Sequence, residues 1–132
     1  MSTSTPSAAP SPIAHRRGAE LALAVGGFGI GTGEFAIMGL LPNVAKDLAI
    51  SIPQAGHVIS IYALGVVIGA PVIATLAARL SRRTLLLLLM VLFAVGNIAS
   101  ALSSSYGNLM VFRFISGLPH GAYFGVASLV AA

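Results

Sequence analysis

Four apolar runs, at residues 21–41, 52–78, 84–102 and 108–131, follow one another through the chain with only short breaks between them. Each is long enough to cross a hydrocarbon core about 30 Å thick at about 1.5 Å per residue. Inside lipid every backbone amide must be bonded within its own segment, so runs of this kind are confined to helices or closed barrels, and their length selects helices. The sequence therefore predicts an all-α membrane protein with four transmembrane helices. The composition agrees: 57% of residues are apolar and 8% charged, whereas a soluble domain carries about a quarter charged. The net charge of +4 comes from residues placed mostly at span ends, which form no stripe for nucleic acid. A chain without cysteine makes no disulfide and no thiolate metal site. There is no nucleophile, base and orienter cluster and no metal-ligand spacing, so neither an enzyme activity, a metal nor a cofactor is expected.

Residues 1–12 are Ser, Thr, Pro and Ala after the initial Met, too polar to bury a core, and residues 1–18 are expected to form a disordered cytoplasmic tail. His15, Arg16 and Arg17 before an apolar run have the form of an export signal. The run is longer than a signal's apolar region, Glu20 spoils its basic flank, and no small-x-small cleavage site follows, so it reads as a retained span.

Glu34 is the sharpest signal in span one. Ionised, a carboxylate inside a span costs roughly 3 kcal/mol or more, and such groups face a cavity, a partner or a proton path. The plainer alternative is a structural hydrogen bond within the bundle. Gly27, Gly31, Glu34 and Met38 share a helical face, which predicts a glycine-floored packing groove bearing the carboxylate. The glycines lie within one apolar segment, which excludes a nucleotide-cradling loop. PNVAKDLA at Pro42–Ala49 is expected to end the span in a neutral outer connection. Ser51, Pro53 and Gln54 then spell a capping box at the start of span two. His57, near the outer end of that span, reads as an interfacial hydrogen bonder. Gly65 and Gly69 predict a close helix contact, and Pro71 frees the Val67 carbonyl.

Span three opens with LLLLLMVLF, a featureless run read as a lipid-facing anchor, with Asn97, Ser100 and Ser103 as small polar contacts. In span four Gly117, Gly121 and Gly125 recur every four residues as a packing ridge. Arg113 and His120 are seven apart and so share a face. Counting rise per residue from the span ends puts Glu34 about 20 Å and Arg113 about 22 Å above the inner side, so the two charges share a layer and their faces are expected to converge, as an ion pair or about a common aqueous cavity. His120 reads either as part of that site or as a satisfied core histidine.

Between spans two and three, ATLAARLSRR at Ala74–Arg83 sets Arg79, Arg82 and Arg83 in one short loop. Clustered arginines in short loops stay cytoplasmic, which places the N-terminus on the same side. This stretch resembles the loop signature G-x-L-A-D-R-x-G-R-[RK] of the major facilitator superfamily. Leu76, Ala77, Arg79, Arg82 and Arg83 match, while Ala74 and Ser81 replace glycines and Ala78 replaces the aspartate. GLLPNVAKDL at Gly39–Leu48, YALGVVIGAP at Tyr62–Pro71 and RFISGLPHGAYFG at Arg113–Gly125 are also similar to that family. The last of these resembles its drug:proton antiporter branch and looks most like sugar-efflux and chloramphenicol-resistance permeases. The resemblance covers residue 21 to the terminus, the first four of twelve family spans. It implies the first part of the N-terminal six-helix bundle of an inner-membrane, proton-coupled efflux transporter. Glu34, Arg113 and His120 would lie at its cavity, and its partners would be lipid, protons, a small-molecule drug or sugar and the remaining C-terminal spans. A complete four-span small multidrug-resistance pump, or the product of a truncated gene, is the alternative; the one-sided distribution of arginines counts against the pump, which needs little bias.

Overall fold

The computed structural model describes residues 12–77 and 79–131 and consists of four helices, α1 (Pro12–Asp47), α2 (Ile52–Leu76), α3 (Arg82–Ala101) and α4 (Tyr106–Ala131), with no strand among the described residues. All four are long and apolar enough to cross a membrane.

Helix α1 is longer at both ends than the apolar pattern suggests. Of the stretch 1–18 expected to be a tail, residues 1–11 lie outside the described residues, and 12–18 form the first turns of α1. Pro12 stands at its first position, where a missing N–H costs nothing, and Arg16 pairs with Glu20 at 3.0 Å one turn on. At the other end Pro42 does not stop the helix. It removes only its own N–H bond to the Met38 carbonyl, and α1 continues to Asp47. The stop comes at Ala49, whose φ of 51° is left-handed. The Ile50 N–H donates to the Ala45 carbonyl at 2.9 Å and the Ala49 N–H to the Lys46 carbonyl at 3.2 Å, the two bonds of a Schellman turn. Helix α2 then begins on a reciprocal capping box: the Gln54 N–H donates to Ser51 Oγ at 3.3 Å and the Ser51 N–H to Gln54 Oε1 at 2.9 Å. Ser81 caps α3 in the same way, accepting from the Thr84 N–H at 3.2 Å.

Helix α4 lies between α2 and α3, which are joined by a short loop yet make no direct helix contact. The tight seam is α2 against α4. A Cβ on Gly65 would meet the Phe114 carbonyl oxygen, and one on Gly117 the Tyr62 carbonyl oxygen. Gly69 faces Leu118 in the same manner, and Gly121 faces Val66 and Ala70. Two glycine pairs spaced by one turn thus let backbone meet backbone. On its other side α4 packs Ser116 against Gly96 of α3, where an added Cβ would lie 2.9 Å from the Ser116 Cβ. The leucine-rich start of α3 is accordingly not all lipid-facing: Leu85, Leu89 and Phe93 are buried, while Leu87, Leu88 and Val91 point outward.

Helix α1 packs more loosely, with Leu21, Val25, Phe28 and Phe35 exposed. Its contacts run through Ile30, through Gly26 against Tyr123, through Gly27 against Phe124 and through Gly33 against Phe93. Gly31, expected in the packing groove, and Gly125, expected on the α4 ridge, have no atom within 4 Å of where a Cβ would stand.

Candidate functional site

The α2–α4 seam fixes the polar residues of the bundle, because Tyr62 lies one turn before Gly65 while Arg113 and His120 flank Gly117 by one turn on either side. Tyr62 is 2% exposed and faces both. Its hydroxyl and His120 Nδ1 share a hydrogen bond of 2.8 Å, and the Arg113 guanidinium lies over its ring, 4.2 Å from the centroid. From α3, Asn97 Oδ1 accepts from Arg113 Nη1 at 3.4 Å, while its Nδ2 donates back to the Phe93 carbonyl at 2.8 Å. From α1, Glu34 Oε2 stands 3.9 Å from His120 Nδ1. One chain of polar groups, Glu34, His120, Tyr62, Arg113 and Asn97, therefore takes a member from every helix.

Burial deepens from Glu34 through His120 to Arg113. The Glu34 side chain is 35% exposed, that of His120 14%, and Arg113 as a whole 3%. Arg113 Nε and Nη2 are buried without a hydrogen-bond partner. A guanidinium is always charged, so the bundle holds a cation compensated by an aromatic face, one amide oxygen and the field of Glu34. Glu34 and Arg113 do not meet as a direct ion pair: Tyr62 and His120 stand between them, and the carboxylate reaches the imidazole instead. At 3.9 Å the Glu34 carboxylate stands beyond direct hydrogen-bond reach of the imidazole but close enough for each to feel the other's charge.

His57, at the far end of α2, joins a separate polar group, its Nδ1 3.4 Å from the Tyr106 hydroxyl, which donates to the Gln54 carbonyl at 3.1 Å. Of the loop arginines, Arg82 Nη1 donates to the Leu129 carbonyl at 2.6 Å and so caps the C-terminal end of α4. Arg79 and Arg83 are exposed. Ala78, at the position of the aspartate, lies outside the described residues. An open apolar groove of about 600 Å³ lies between α1, α3 and α4 near Arg82 and Arg83 and is lined by neither Glu34 nor Arg113. No cluster of His, Cys, Asp or Glu suited to a metal occurs among the described residues.

Tyr62 and Asn97 are the members that sequence reasoning missed. In the sequence Tyr62 stands out only as the first residue of the family-like stretch Tyr62–Pro71, and Asn97 only as a small polar contact. The available signal was slight: both fall on helices whose glycines face α4.

Residues 23–132 match the family profile described as Major Facilitator Superfamily. The chain belongs to the major facilitator superfamily. Among its relatives in that superfamily, the AraJ protein of Escherichia coli is 54% identical over 83% of this chain and 28% of its own length. The inner membrane transport protein YdhP of the same species is 51% identical over 85% of this chain and 29% of its own. A chloramphenicol resistance protein of Streptomyces lividans is 36% identical over 83% and 28%. The chain thus spans less than a third of the length of these superfamily relatives and corresponds to their N-terminal part. No solved structure matches it.

Proposed function

We propose that these four spans form the start of the N-terminal bundle of a proton-coupled efflux transporter for small molecules, lying in the inner membrane with its N-terminus cytoplasmic. What carries the reading is the Glu34 carboxylate 3.9 Å from His120, at the half-open end of a polar chain that runs on through the buried Arg113. A proton entering at Glu34 passes to or from His120 Nδ1. The charge on this pair changes by one while the Arg113 charge stays fixed, so the compensation of the buried cation depends on the proton. A transporter that rocks between two states couples transport to protons when the states differ in that compensation. Spans beyond residue 132, a bilayer and a substrate such as chloramphenicol, after the resistance relative, complete the assembly.

The test uses the whole transporter that carries these spans, reconstituted in liposomes with a trapped pH-sensitive dye and chloramphenicol or arabinose as probe. Glu34→Gln is expected to insert normally and to lose pH-gradient-driven transport at least tenfold, with proton movement no longer tied to substrate. Undiminished coupling in that variant would remove Glu34 from the mechanism.

A further inference from the structure

We infer that Tyr62 is the positioning residue through which the proton state of His120 is felt by Arg113. The inference rests on the proton-coupling reading and assigns the transmitting step to a residue outside the acid–base pair. Tyr62 touches both ends. Its hydroxyl is 2.8 Å from His120 Nδ1, and its ring face carries the guanidinium at 4.2 Å. When the His120 proton is on Nε2, Nδ1 is an acceptor and the Tyr62 O–H donates to it. When His120 gains a second proton, Nδ1–H donates and the Tyr62 oxygen must accept. The phenol hydroxyl therefore turns round each time the imidazole is protonated, its hydrogen swinging away from Nδ1. No atom is transferred to the tyrosine in either state.

Among the described residues the guanidinium is held weakly: Nη1 donates to Asn97 Oδ1 at the long distance of 3.4 Å, and Nε and Nη2 meet no protein acceptor. Arg113 is thus seated by the phenol ring, and a change in that ring's tilt or charge distribution moves it. The titratable and charged groups facing Tyr62 are Glu34 from α1 and Arg113 and His120 from α4, and α3 contributes the uncharged Asn97. The ring cannot evade the task by sliding, because the Tyr62 carbonyl is pressed against Gly117 at the closest part of the helix seam.

The 132-residue chain has three histidines, so nitrogen NMR of the labelled protein in lipid nanodiscs can follow His120 and the Arg113 side chain through a pH titration. In the unaltered chain the Arg113 Nε signal is expected to titrate with the same midpoint as His120. Tyr62→Phe keeps the ring and removes the hydroxyl. It should move the His120 midpoint by about half a pH unit or more and at least halve the amplitude with which Arg113 follows, as the loss of one hydrogen bond implies. An Arg113 signal that ignores His120 in the unaltered chain, or that follows it with full amplitude in Tyr62→Phe, overturns the inference whether or not the variant is well folded. Failure here leaves the Glu34→Gln transport result untouched, whereas coupling that survives Glu34→Gln removes both the reading and this inference.

Discussion

At Gly65 a methyl group has nowhere to go, since the Phe114 carbonyl oxygen already occupies the space and belongs to a backbone that cannot swing aside. Gly65→Ala is therefore expected to destabilise the chain by about 1–3 kcal/mol, the cost of overpacking. Gly31→Ala, with nothing within reach of its Cβ, should be neutral or stabilising by up to about 1 kcal/mol. Thermal unfolding in detergent micelles separates the two; equal losses would mean that the seam is not where the strain lies. The pair also shows what was legible. Spacing by four identified both glycines as candidates for packing, but it cannot tell which faces a partner, and in α1 the tight contacts fall on Gly26 and Gly33, on other faces of the helix from Gly31. Glu34 and Arg113 were legible because charge inside a span has to be explained. Tyr62 and Asn97 were not, because an uncharged side chain can find its partner on its own helix, as Asn97 does on the Phe93 carbonyl, and so does not by itself point to another helix.

Elements were read from apolar length, which captured all four helices and missed how far polar residues extend them. The sequence leads one to expect span one to end within Pro42–Ala49, and a proline does forfeit one bond and crowd the turn before it. A helix this long absorbs one lost bond at the membrane boundary, and the real stop is a hydrogen-bonded turn with Ala49 at φ 51°. The capping box at Ser51 was readable because its three-residue spacing is itself the structure. The Schellman turn was hidden because its expected glycine is an alanine. An L-residue in the left-handed region costs about 1 kcal/mol, so Ala49→Gly should raise the unfolding free energy by about that amount and leave the α1–α2 register unchanged. A stability scan with hydrogen exchange at Ile50 checks it: a variant no more stable than the parent would mean that the turn is unstrained.

For the whole molecule, the remaining question is which way it faces, and the charges speak to it through distribution. Arg16, Arg17, Arg79, Arg82 and Arg83 fall at one end of the four-helix array, because short connections make successive helices alternate in direction. The opposite end carries only Lys46 beside Asp47, which cancel, and the uncharged turn at Ser103–Ser105. The loop and the N-terminus should therefore be cytoplasmic. The chain contains no cysteine, so a single introduced one reports its position without background. In intact cells an impermeant thiol reagent is expected to label Ser104→Cys and to spare Ser81→Cys until the membrane is opened. The reverse pattern would invert the protein. Labelling of both positions in separate populations would instead mean dual insertion, which an array with five arginines at one end should not permit.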